Sequence, residues 1–206
     1  MLFGGLIGVA SGVRHAIEPD HLAAVGAFAA QEPGTKSAVR LAAAWGAGHA
    51  TTLFLVGGAL LLSRREMPSA TLEALELVVA VTLVALGAHA LIRLRHRREA
   101  SRSHSHARVD LRRPMLVGLV HGLAGSGPLT VITLASVGAG ALGLLYMALY
   151  GTGAMLGMAA LAGLCGGPLA RLARSPRAQV ALMAVAGGAS LVIGLWWGVQ
   201  ALARLV

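Results

Sequence analysis

The chain has 206 residues, 56% of them hydrophobic and only 12% charged, with a mean hydropathy of +0.74. A soluble domain carries about 25% charged residues, so this composition excludes a disordered chain and argues against a soluble globular domain. The formal charge of +9 then reads as basic loops held at one membrane face, with no nucleic-acid partner.

Helices that cannot turn a polar face to water read as bilayer spans. Six apolar segments are predicted, at about 2–28, 39–62, 72–93, 114–136, 144–166 and 178–203, giving an all-α polytopic membrane protein. The 28 glycines suit close helix packing in a bilayer.

The first segment holds the densest chemistry: Arg14-His15-Ala16-Ile17-Glu18-Pro19-Asp20-His21. Each charged residue at a span centre costs about 2.5–3.5 kcal/mol, so the cluster is expected to face protein or a wet cavity. The segment has no basic leader before it and reads as a retained span. On an unbroken helix, Asp20 and His21 point well away from His15. Pro19 disfavours an unbroken helix, and a break within about two residues of it is expected to turn both back towards His15. Glu32-Pro33-Gly34 marks the first turn.

The second segment carries His49 between Gly48 and Ala50, and a polar link runs from Ser63 to Ser69. In the third, His89 reads as a snorkelling or capping residue, and Glu73 and Glu76 as a solvated face beside Arg64 and Arg65, with an entry vestibule as the lesser reading. The stretch 94–113 reads as a solvated basic loop; its His96, His104 and His106 are too few among the arginines to make a cation site. The fourth segment holds His121 and a second expected break at Gly125-Ser126-Gly127-Pro128. A Gly-rich turn spans Gly138 to Gly143, and Arg171 to Arg177 forms the last link. Cys165 is the single cysteine, which excludes an intramolecular disulfide, and it reads as packing.

With six spans, the first, third and fifth links share a side. Thirteen of the 17 lysines and arginines fall there, so that side is expected to be cytoplasmic, with both termini outside. The chain also repeats itself. Gly12-Val13-Arg14-His15 aligns with Gly118-Leu119-Val120-His121, and Trp45-Gly46-Ala47-Gly48-His49 with Tyr150-Gly151-Thr152-Gly153-Ala154. Three spans per copy make an inverted repeat, a transporter architecture whose site lies near the midplane. The expected organisation is one transmembrane domain over 1–206, with repeats at 1–93 and 114–206 joined by the loop 94–113.

The candidate metal ligands are His15, Asp20, His21 and His49, with Arg14, Glu18, His121 and Ser126 around them or along the pathway. Imidazoles with a carboxylate suit nickel, cobalt, zinc or copper(II), whereas calcium and magnesium prefer all-oxygen sites.

His15-x4-Asp20-His21, followed by Leu22-Ala23-Ala24-Val25, resembles the H-x4-D-H signature of the nickel/cobalt transporter family. Gly48-His49-Ala50-Thr51-Thr52 resembles that family's second motif. His121-Gly122-Leu123-Ala124-Gly125-Ser126-Gly127 is similar to a block in its smaller, urease-accessory-like relatives. The family usually has Asp at the place of Glu18 and a small residue at that of Pro19. The resemblance implies that His15, Asp20, His21 and His49 bind or select the metal.

The expected function is transport of a divalent transition-metal cation by alternating access, not enzymatic catalysis. Ni2+ or Co2+, and more distantly Zn2+, is the cargo, and no resident cofactor is expected. The partners are the metal ion and the lipid of the cell membrane, with a homo-oligomer left open. Two other readings stand at this stage. In an exporter of a small anion, Arg14 would anchor the substrate. In an intramembrane zinc-dependent hydrolase, Glu18 would be the general base, although no H-E-x-x-H motif occurs.

Overall fold

The computed structural model describes residues 2–31, 34–99, 110–172 and 175–205, and among these it has helices and turns with no strand. Five helical stretches are long and apolar enough to cross a membrane: Thr35–Ser63, Ser69–Leu94, Arg112–Ser136, Ala141–Gly166 and Val180–Leu205. The segment expected as a single first span is instead two short helices, α1 (Leu2–His15) and α2 (Pro19–Gln31). At about 1.5 Å per residue neither reaches across a hydrocarbon core of roughly 30 Å. The first long stretch is α3 (Thr35–Thr52), a π-helical turn (Leu53–Gly57) and α4 (Gly58–Ser63) in continuous succession. It is followed by α5 (Ser69–Glu99), α6 (Arg112–Ser136), α7 (Ala141–Leu172) and α8 (Pro176–Leu205).

Local chemistry accounts for the ends. Pro19 opens α2, where its missing N–H costs nothing and its fixed φ suits the first helical position. The residue before a proline is pushed out of the helical region, which ends α1 in the turn Ala16 to Glu18. That turn closes with the Ile17 and Glu18 amides donating to the Arg14 and His15 carbonyls, both at 3.1 Å. Gly138 and Gly140 adopt φ of 81° and 99° between α6 and α7, a left-handed backbone that only glycine takes without strain.

The second expected break does not form. Pro128 lies inside a continuous α6. Around it, the Ser126 hydroxyl donates to the Gly122 carbonyl at 2.8 Å and Thr130 to the Ser126 carbonyl at 2.7 Å. Pro128 takes the helical donor from the Ala124 carbonyl alone, and α6 continues past it, as membrane helices do where the surroundings adjust. The last expected link is also shorter, because α7 continues to Leu172. The expected loop 94–113 is shorter too, because α5 continues to Glu99 and α6 begins at Arg112; Glu32, Pro33, Arg174 and residues 100–109, with His104 and His106, lie outside the described residues.

Helix packing is reciprocal between the two halves of the chain. A methyl group on Gly12 of α1 would collide with the backbone of Tyr150 and Ala154 on α7; one on Gly118 of α6 would collide with that of Trp45 and His49 on α3. These are positions that the sequence alignment of the two halves pairs. The third helices follow the same rule: Gly87 of α5 abuts Gly187 and Leu191 of α8, and Gly194 of α8 abuts Ala80 and Val84 of α5. Each half therefore inserts its first helix against the second helix of the other, and α5 lies along α8. The Ser190 hydroxyl adds a 2.8 Å bond to the Leu83 carbonyl at that seam.

Candidate metal centre

The break after His15 brings the separated motifs together. His15 stands on the last residue of α1, Asp20 and His21 on the first turn of α2, His49 on α3 and His121 on α6. His15 Nε2 and His49 Nε2 are 3.2 Å apart. The His15 ring lies 4.3 Å from the His21 ring, and the His21 ring 5.0 Å from that of His49 and 4.8 Å from that of His121, centroid to centroid. His15, His21 and His49 each offer a nitrogen such that the three lie within 4.8 Å of one another, and Asp20, His21 and His121 form a second such group sharing His21.

Carboxylates orient the imidazoles. Glu18 Oε2 is 3.0 Å from His15 Nδ1 across the break. If Nδ1 carries the proton, the Nε2 lone pair points into the cluster, the arrangement in which metal-bound histidines are usually held. Asp20 Oδ2 is 2.7 Å from His121 Nε2 and 2.9 Å from His21 Nδ1, the latter contact off hydrogen-bonding geometry. Asp20 is 3% exposed, His21 and His49 1% each. Even so, Asp20 Oδ1, both His21 ring nitrogens and His49 Nδ1 make no hydrogen bond. A buried polar atom left without a partner costs about 1–3 kcal/mol. Leaving aside His21 Nδ1, which Asp20 Oδ2 contacts, three such atoms in one cluster are the arrangement expected of a pocket that receives a cation.

The helix carrying His49 is softened just beyond it. Thr51 and Thr52 donate to the Ala47 and Gly48 carbonyls at 2.7 and 3.3 Å, a pattern that bends helices. The π-helical turn Leu53–Gly57 follows, and the Thr130 hydroxyl of α6 donates to its Gly57 carbonyl at 3.2 Å. Such turns often mark functional sites.

A cavity of about 210 Å³ opens beside the cluster, lined among others by His15, Glu18, Asp20, His21, His49 and His121. Ser126 is fully buried and turned to its own helix, and it is not in the cavity wall. Arg14 is exposed and also off that wall, which removes the ground for an anion anchored there. His89 is exposed on α5, away from the cavity.

Two aromatics beside the cluster had no assigned role from the sequence: Tyr150 lines the cavity, and Trp45 is buried behind the imidazoles. Tyr150 lies 5.4 Å from the His15 ring, and Trp45 5.3 Å from both the His21 and His121 rings. These two aromatics occupy aligned repeat positions, the signal by which a shared role was readable. Glu76 also lines the cavity and pairs with Arg204 at 3.0 Å; it was read with Arg64 and Arg65 because they are nearer in sequence.

Among characterised proteins, the chain is similar to the urease accessory protein UreH of Bacillus sp. (strain TB-90). The two are 31% identical over 199 residues, covering 92% of this chain and 87% of the relative. No family model and no solved structure matches the chain.

Proposed function

The chain belongs to the family of the urease accessory protein UreH, the urease-accessory-like branch of the nickel/cobalt transporters, and from that premise we propose that it carries a divalent transition-metal cation across the membrane. Nickel or cobalt is the cargo the ligand chemistry favours. The observation that carries this reading is the pair of overlapping groups His15/His21/His49 and Asp20/His21/His121, mostly buried, joined across a helix break and left with unpartnered polar atoms.

In this reading α1 and α2 form one interrupted crossing, which with the five long helices makes six. Residues 1–93 and 114–206 are then inverted copies, supported by the matching close approaches of Gly12 to α7 and Gly118 to α3, and of Gly87 to α8 and Gly194 to α5. The ion sheds water at the cluster, where the negative charge of Asp20 and the imidazole nitrogens replace its hydration shell. His121 holds Asp20 Oδ2 and leaves Oδ1 for the ion. Rocking of the interlocked halves would expose the site to one side and then the other. The cytoplasmic face is the one bearing 94–113, supported by the distribution of arginine. The chain performs no covalent chemistry.

Purified protein in proteoliposomes tests this. Ni2+ or Co2+ should accumulate in the lumen faster than in protein-free vesicles, and loss of His21 should remove the difference. Equal rates with and without protein for both ions would reject the proposal.

A further inference from the structure

The cavity beside the cluster is one-sided, and its wall carries a carboxylate outside the ligand set. Glu76, about two turns into α5, lines the same cavity of about 210 Å³ as His15, His21 and His49. On α6 the wall continues through Gly125, Pro128 and Ile132, successively one, two and three turns beyond His121. The cavity thus runs from the cluster towards the end of the bundle where α5 begins and α8 ends. There Arg204 Nη1 donates to Glu76 Oε2 at 3.0 Å, and Nη2 to Gln200 Oε1 at 3.3 Å. The Arg204 and Glu76 side chains are 51% and 29% exposed. Ion pairs this wet hold weakly, so a divalent cation competes well for the carboxylate.

The other half of the chain offers a comparison. A second cavity, of about 380 Å³, is lined by Pro19, Leu22, Ala23 and Gly26 of α2 together with α8. Their aligned positions are Gly125, Pro128, Leu129 and Ile132, which line the first cavity. The two cavities are therefore counterparts. In the register that pairs Ala80 with Gly187 and Val84 with Leu191, Glu76 aligns with Met183. The second cavity has no charged residue in its wall. The acid stands on one side only.

We propose that Glu76 receives the divalent cation at the mouth of the cavity, with Arg204 as its displaceable counter-ion, so that the ion reaches the cluster from the end where α5 begins. This rests on the transport reading above. A carboxylate in a low-dielectric cleft raises the local cation concentration, and a guanidinium bound to it opposes that. The two partners of one ion pair therefore act on metal capture in opposite directions. A pair that only braced α5 against α8 would be lost in either variant, with effects of the same sign.

The test is the initial rate of Ni2+ uptake by the full chain in proteoliposomes, with Ni2+ the sole divalent cation. Glu76→Gln is expected to raise KM about three- to tenfold, with a smaller change in kcat, and Arg204→Gln to lower KM. Added monovalent salt should shrink both shifts. Should Glu76→Gln fail to fold, the Arg204→Gln arm decides alone: an unchanged or raised KM overturns the proposal. KM shifts of the same sign in both variants, or an unmoved KM in Glu76→Gln, would overturn it while leaving transport standing. Absence of both Ni2+ and Co2+ flux in the unaltered chain would overturn the transport reading and this inference with it.

Discussion

The Nε2 atoms of His15 and His49 lie 3.2 Å apart, although 34 residues separate them in the chain. Two nitrogens on one ion, at bond lengths of about 2.0–2.1 Å and angles between square and tetrahedral, are about 2.9–3.4 Å apart. The pair thus has the spacing of adjacent ligands. Asp20 and His21 close the same pocket because the chain breaks between them and His15.

His15→Ala, Asp20→Ala and His21→Ala are each expected to reduce metal flux by at least tenfold, the scale on which losing one metal contact acts. The variants should still insert, since the core around Leu83 and Met158 is untouched. Uptake assays at matched protein levels check this; near-normal flux in any two would defeat the ligand assignment.

Bound metal should stabilise the fold. At a concentration one hundred times its Kd, a ligand specific to the native state adds about 2.7 kcal/mol. Thermal unfolding in detergent with and without Ni2+ measures it, and His21→Ala should lose most of the shift. Equal shifts in both proteins would place the binding elsewhere, for instance on the histidines between 94 and 113.

Metal binding should weaken as pH falls. Only neutral imidazole donates a lone pair to a cation, so protons compete with the metal. Equilibrium dialysis carried from neutral pH into acid should show Ni2+ affinity falling before the chain unfolds. Affinity independent of pH down to the acid unfolding of the chain would rule out imidazole ligation.

Gly12→Val should be strongly destabilising, because its side chain would meet the backbone of Tyr150 and Ala154, which cannot retreat. Overpacking of this kind costs about 1–3 kcal/mol or more. Gly188→Ala has nothing within 4 Å of the new methyl and should be neutral or stabilising by up to about 1 kcal/mol. Melting temperatures of the two variants check the packing scheme, and similar losses in both would contradict it.

Topology is testable by labelling. A cysteine at Ser103 in a Cys165→Ala background should resist an impermeant thiol reagent added to intact cells, because most of the basic residues lie on that face. Ready labelling would reverse the orientation.

Much of the site was legible in the sequence, for a specific reason. Charges are costly in a span, so Arg14 to His21 announced a function, and Pro19 announced the break that lets Asp20 and His21 face His15. The same reasoning failed at Pro128, where α6 loses one helical bond and still continues as a single helix. It also missed that the break divides the first segment into two helices too short to cross singly. Glu76 was misread because its partner, Arg204, lies 128 residues away and local spacing favoured Arg64 and Arg65. His121 was aligned with His15 by the repeat, but its hold on Asp20, across 101 residues, is a tertiary fact.

The central claim is that His15, His21 and His49 surround one divalent transition-metal ion. X-ray absorption on the purified chain loaded with Ni2+ tests it most directly, read beside equilibrium dialysis. The expected result is one ion per chain in a nitrogen/oxygen shell at about 2.1 Å, with imidazole scattering that falls in each of His15→Ala, His21→Ala and His49→Ala. An unchanged nickel spectrum in all three variants, or no stoichiometric binding by the unaltered chain, would contradict it.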